Sequence, residues 1–99
     1  MLTVKEIKEM VVPLVKDYPV RRVILFGSYA RDEATESSDV DLAIDYEDNF
    51  NYWDFLGLIG DIIRKMPTKV DVLGLDEVKK PELLKNICSE GVIVYECAD

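Results

Sequence analysis

The sequence has 99 residues, with 12 Lys and Arg against 20 Asp and Glu for a formal charge of −8, and 48% of it is apolar. That length supports one core and a single domain over residues 1–99, and the composition is ordinary for a globular chain. The acidic balance argues against gripping nucleic acid through its phosphates, no apolar run is long enough for a membrane span, and the lack of histidine excludes Ser-His-Asp chemistry, an imidazole base and His-ligated zinc.

The opening Met1–Glu6 has no signal-peptide pattern, so a cytoplasmic location is expected. Thr3 with Glu6 three residues later reads as a capping box, and Val4, Ile7, Val11, Leu14 and Val15 recur at helical spacing. A first helix is predicted over residues 4–17, with Pro13 as its weak point. Arg21 and Arg22 then lead into Val23-Ile24-Leu25-Phe26, a short buried strand. The two arginines read as a solvated approach to that strand or as a reach toward a triphosphate or partner.

At Gly27 the chain must turn sharply, which a residue without Cβ permits, and Ser28 opens a predicted short helix over Tyr29–Ala34. Free backbone N–H groups and the positive end of that helix make a cradle for phosphate. The polar stretch Thr35–Ser38 is a turn, and a second strand runs from about Val40 to Tyr46. Side chains alternate along a strand, so Asp39 and Asp41 share one face while Val40, Leu42 and Ile44 share the other. Adjacent carboxylates repel unless a cation lies between them, and hard oxygen ligands suit Mg²⁺. A phosphate cradle beside a divalent-cation site equips the chain for a nucleoside triphosphate. Asp45 lies on the same face further along and reads as a solvated strand end or a metal or substrate contact.

Asn51 is placed to cap a second helix, with Tyr52, Phe55, Leu56, Ile59, Ile62, Ile63 and Met66 as its sheet-facing stripe and Pro67 as its stop. Trp53, Gly57, Gly60 and Arg64 fall on another face. They are either a partly covered tryptophan with two weak helix positions or a flat ridge for docking a protein. Lys69–Gly74 is a third strand, in which Asp71 either interrupts a buried apolar run at a cost that a partner or metal would offset, or is a strand-edge Asp in water. Pro81 starts a last helix with Leu83, Leu84 and Ile87 as its buried face, and Val92–Tyr95 closes the sheet. Of the two cysteines, Cys88 is expected to be reduced and packed. The predicted class is α/β (α+β), a mixed sheet with helices packed over it.

Gly27-Ser28, ten residues, then Asp39-Val40-Asp41 resembles the signature of the polymerase-β-like nucleotidyltransferase superfamily. Gly27-Ser28-Tyr29-Ala30-Arg31 with Ser38-Asp39-Val40-Asp41-Leu42 is similar to its smallest branch, the minimal nucleotidyltransferase (MNT) domains. The resemblance implies that Gly27 and Ser28 bind the triphosphate and that Arg31 lies near phosphate or braces the loop. It also implies that Asp39, Asp41 and Asp71 are the catalytic and metal-ligating acids. Two Mg²⁺ ions are implied, with ATP as substrate and Asp71 as general base. Larger members of the superfamily carry their own acceptor lobe, whereas MNT domains commonly pair with an all-helical HEPN toxin. There they act as antitoxin by transferring AMP to a toxin tyrosine and silencing its ribonuclease activity. Inhibition by occlusion, or service as the catalytic subunit for a small-molecule or RNA acceptor held by a companion protein, are the other readings.

Overall fold

The computed structural model describes residues 1–97. Helix α1 (Val4–Val15) begins with the expected reciprocal cap: the Thr3 hydroxyl accepts from the Glu6 N–H at 3.1 Å, and the Glu6 carboxylate accepts from the Thr3 N–H at 3.0 Å. The helix stops at Val15 rather than at residue 17. The Lys16 N–H makes the closing bond of the ladder on the Val12 carbonyl at 3.1 Å, and the Tyr18 N–H turns back to the Val15 carbonyl at 3.0 Å.

Strand β1 (Val20–Phe26) takes in Arg21 and Arg22 as well as the apolar run, because its neighbours reach that far: Arg22 is paired with Asp45 on one side and Glu96 on the other. Strand β2 (Val40–Tyr46) runs antiparallel to β1, β3 (Val70–Gly74) runs parallel to β2, and β4 (Val92–Glu96) runs antiparallel to β1. The order β3-β2-β1-β4 makes a mixed four-stranded sheet with β3 at one edge. Helix α2 (Tyr52–Lys65) connects β2 to β3, and helix α3 (Pro81–Glu90) connects β3 to β4.

Alternation sorts the two faces. Val40, Leu42 and Ile44 of β2 join Ile7, Val11 and Val15 of α1 and Phe55, Leu58 and Ile62 of α2 in the main core. Burying each such side chain fully contributes about 1.5–3 kcal/mol relative to leaving it in water. The opposite face carries a smaller core of Ile24, Ala43 and Ile87, where α3 covers the middle of the sheet. Asp41 and Asp45 flank Ala43 on that face, beyond the cover of α3.

Two helical faces differ from expectation. The sheet side of α2 is Phe55, Leu58, Ile62 and Met66, whereas Tyr52 is 60%, Leu56 40% and Ile63 51% exposed. The helix is apolar around more of its circumference than four strands and α1 can cover, so its burial line falls one position round from the predicted stripe. In α3, Ile87 is buried and Leu83 packs on the smaller core, but Leu84 and Cys88 face outward, so Cys88 is not the packed thiol expected. Among the described residues no helix is long and apolar enough to cross a membrane.

Candidate active site

The site begins where β1 ends. Gly27 has φ +74°, a conformation that side chains other than glycine's rarely adopt. A Cβ there would collide with the Asp41 carboxylate, whose Oδ2 and Cγ occupy that space. The glycine is thus needed twice, for the turn and for the approach of β2. Gly27–Tyr29 forms a single 3-10 turn, and the predicted helix over residues 29–34 does not form. The Ala30 and Arg31 amides both fold back onto the Gly27 carbonyl, at 3.1 and 3.2 Å, and Asp32 sits at φ +58°. A single turn carries little macrodipole, so what it offers an anion is its leading amides and the Ser28 hydroxyl.

The Thr35–Ser38 turn returns the chain to β2. The Thr35 amide donates to Ser38 Oγ at 2.8 Å, and the Ser38 amide donates to the Thr35 carbonyl at 3.0 Å. Asp39 precedes β2 and Asp41 lies within it, opposite Phe26 of β1. On the other side Asp41 is in register with Asp71 of β3, so all three acids are on one face at one end of the sheet. Burial pushes the Asp41 carboxyl above the ordinary carboxylate value, Asp71 and Asp39 add to the rise, and Arg31 and Lys69 oppose it.

Asp71 is exposed, which is the strand-edge reading of this residue and not the buried interruption. Its strand is the sheet edge, and its end of the strand lies beyond α3. Among the described residues the acids do not converge as a three-carboxylate metal cluster, and Asp39 turns toward Lys69, with Oδ2 3.5 Å from Nζ. Facing carboxylates without a cation between them separate in this way. The donor set nonetheless fits a hard divalent cation: oxygen ligands only, one of them held against the Gly27 backbone, on a face whose mutual repulsion a cation would relieve.

Arg31 donates from Nε to Glu33 at 2.8 Å and lies 3.9 Å from Glu90 at the end of α3, so here it braces the loop against that helix. Arg21 and Arg22 both pair with Asp45, at 3.2 and 2.9 Å, and Arg21 also donates to the Tyr46 carbonyl at 2.7 Å. That end of β2 is about 13 Å from Asp41, so these three charges serve the strand end rather than the phosphate cradle. Lys69 was not singled out from the sequence. Its signal is its position just before β3, where its carbonyl accepts from the Val40 amide at 3.0 Å and sets its side chain beside Asp39.

The sequence profile described as polymerase beta, nucleotidyltransferase matches residues 6–99. The chain belongs to that nucleotidyltransferase family. A candidate protein adenylyltransferase of Methanocaldococcus jannaschii is 36% identical over 101 residues, spanning 96% of this chain and 99% of its own. The protein adenylyltransferase MntA of Thermococcus cleftensis is 32% identical over 98 residues, spanning 95% of this nucleotidyltransferase and 98% of its own length. Among solved structures, a tri-AMPylated Shewanella oneidensis HEPN toxin in complex with an MNT antitoxin superimposes with a TM-score of 0.69 at 18% identity, covering 95% of this chain and 73% of that one. At that identity the likeness concerns the fold.

The raised carboxyl of Asp41 has a consequence for stability. Its folded-state pKa lies above the unfolded one, so the unfolded chain ionises first as pH rises and the ionised group costs stability above both values. Asp41→Asn should therefore melt no lower, and slightly higher, than the parent at pH 7 in EDTA. The gain should shrink as pH is lowered from 7 toward about 4, as the parent's own carboxyl takes up its proton. Calorimetric melting at the two pH values measures this, and a lower melting temperature at pH 7 would make Asp41 a structural residue.

Proposed function

We propose that this nucleotidyltransferase is a cytoplasmic, divalent-cation-dependent protein adenylyltransferase, one domain over residues 1–99, that moves AMP from ATP to a tyrosine of a HEPN-type ribonuclease toxin. The observation that carries the chemistry is Asp39, Asp41 and Asp71 on one sheet face beside the Gly27-Ser28 turn. The acceptor is supported by the relatives named as protein adenylyltransferases and by the AMPylated HEPN toxin bound to an MNT antitoxin of the same fold.

In this reading the Ser28 hydroxyl and the leading amides of the turn hold the outer phosphates, and Asp39 and Asp41 would hold the cation that travels with the nucleotide. Asp71 would join them in holding a second. Bound there, Mg²⁺ would neutralise charge on the phosphates and lower the pKa of the attacking hydroxyl. The acceptor oxygen attacks the α-phosphorus, its proton passes to the Asp71 carboxylate, and pyrophosphate leaves. Such help is needed because a tyrosine hydroxyl titrates near about pH 10. Arg31 is placed to leave Glu33 for a phosphate once the nucleotide is present.

The test is incubation with a HEPN-type toxin from the same source, ATP and Mg²⁺, followed by intact mass and peptide mapping. AMP on a tyrosine together with lost ribonuclease activity is expected, and ATP should bind in a calorimeter only without EDTA. Equal inhibition by an Asp39→Ala protein that transfers nothing would show that occlusion does the work, and the catalytic reading would fall.

The outward side of α2 gives a second expectation. Trp53 is 77% exposed and a side chain at Gly57 would meet nothing within 4 Å, so the ridge is open on this chain. Trp53→Ala and Gly57→Arg should each weaken association with the toxin by about tenfold, the loss of a buried aromatic anchor, with ATP affinity unchanged. Unaltered association in both variants would place the toxin elsewhere.

A further inference from the structure

At the opposite end of β2 from the acids, and on the opposite sheet face, lies a cavity of about 270 Å³ lined by Tyr46, Asp48, Phe50, Tyr52, Phe55 and Asp76. Its floor is a ring cluster. The Tyr46 and Phe55 centroids are 4.8 Å apart, and Phe50 meets both rings edge-on at 5.9 and 5.8 Å. Phe50 and Phe55 are buried, whereas Tyr52 stands at the rim, 60% exposed. The carboxylates of Asp48 and Asp76 sit at the mouth, and neither has an ion-pair partner among the described residues. Gly74 lets β3 approach this corner: a Cβ there would be 2.9 Å from the Tyr46 ring and 3.2 Å from Asp76 Oδ1, and closer still to the Glu77 carboxylate.

Burial and the hydrogen bond to Asp76 push the Tyr46 hydroxyl up to about 12, so it stays a protonated donor and keeps the carboxylate turned toward the ring. Ring faces attract cations, and a lining that holds the Asp48 and Asp76 carboxylates and no Lys or Arg makes the recess negative. Of the biological cations a guanidinium fits best. It is flat enough to stack on a tyrosine, and its edge N–H groups suit a pair of carboxylates in a way that the compact lysine ammonium does not. The recess also adjoins the exposed apolar side of α2, where Tyr52 packs on Trp53 with centroids 6.2 Å apart.

We infer that this cavity is a receptor for an arginine side chain of a partner protein, one that sets the arginine beside an apolar patch lying on α2. The site is about 17 Å along β2 from Asp41 and does not depend on the transfer chemistry.

The test titrates ¹⁵N-labelled protein with N-acetyl-L-arginine methylamide, and in parallel with the citrulline and lysine amides. Saturable shifts at the Asp48, Phe50, Tyr52 and Asp76 amides are expected with arginine, and none with the equally long, uncharged citrulline. Lysine should bind at least about threefold more weakly, for want of a stacking plane and a bidentate edge. The double variant Asp48→Asn/Asp76→Asn should weaken arginine binding by about fivefold, as loss of two exposed charge pairs does. Because both acids are exposed, the variant should melt like the parent, and Tyr52→Ala tests the ring at the rim independently. Equal shifts with citrulline, equal affinity for lysine, or shifts confined to the face of Asp39, Asp41 and Asp71 would each overturn the assignment. None of these results bears on adenylyl transfer.

Discussion

Asp71→Asn should bind ATP and Mg²⁺ within a few-fold of the parent and transfer AMP about 10²–10⁴ times more slowly, the range that a positioned general base supplies. Asp71 is in register with Asp41 across the parallel β2–β3 pair, and its charge is the second cause of the rise in the Asp41 carboxyl, so the two carboxylates interact through space. It is also exposed and outside every ion pair among the described residues. Replacing it should therefore leave the melting temperature nearly unchanged, as surface substitutions do. The loss should be in the rate at saturating ATP. Calorimetry for binding and mass-detected AMP incorporation for rate separate the two effects. If affinity falls in step with the rate, Asp71 belongs to the nucleotide's own cation. An unchanged rate would remove it from the site altogether.

The parts of this site that were legible from sequence are those fixed by local rules. Period-two alternation put Asp39 and Asp41 on one face opposite Val40 and Leu42, and a glycine followed by a polar residue after an apolar strand marked the turn. The capping box and the Asn51 cap were readable for the same reason, since both partners lie within three residues. Features that depended on neighbours distant in sequence were read less well. The burial line of α2 is set by how much helix a four-strand sheet and α1 can cover, and nothing within residues 52–65 states that. For Asp71 the apolar neighbours Val70, Val72 and Leu73 favour burial over a strand edge in water, and the choice is settled by topology, which puts its strand at the sheet edge. The single turn at Gly27–Tyr29 has a similar cause. Arg31 is held by Glu33 and Glu90, and the Glu33 amide donates to the Ser28 carbonyl at 2.9 Å, which closes the segment before a helix can propagate. Arg21, Arg22 and Asp45 illustrate the opposite case: both arginines pair with the one carboxylate across β1 and β2, and the reading of a strand end describes them.

The contact between Gly27 and Asp41 gives the other large expectation. Gly27→Ala should lose about 10² in transfer rate and about 1–2 kcal/mol in stability. The stability cost is that of holding a Cβ-bearing residue in the left-handed region, where Gly27 sits at φ +74°. The rate cost is geometric. The new methyl occupies the place of Asp41 Oδ2, so either the carboxylate rotates away or the turn withdraws from β2. Each displaces a phosphate-holding or cation-holding group by about an ångström, and a misplacement of that size costs about 10²-fold in rate. The pattern should differ from that of Asp71→Asn, because ATP binding itself must weaken when the cradle and the Asp41 carboxylate no longer meet. A useful companion is Gly27→Ala combined with Asp41→Asn. Both changes act through one contact, so the pair should cost less than the sum of the single losses. Calorimetric melting and ATP titration of the four proteins measure this. Strict additivity would mean that the glycine serves the turn alone and that its closeness to Asp41 has no part in nucleotide binding.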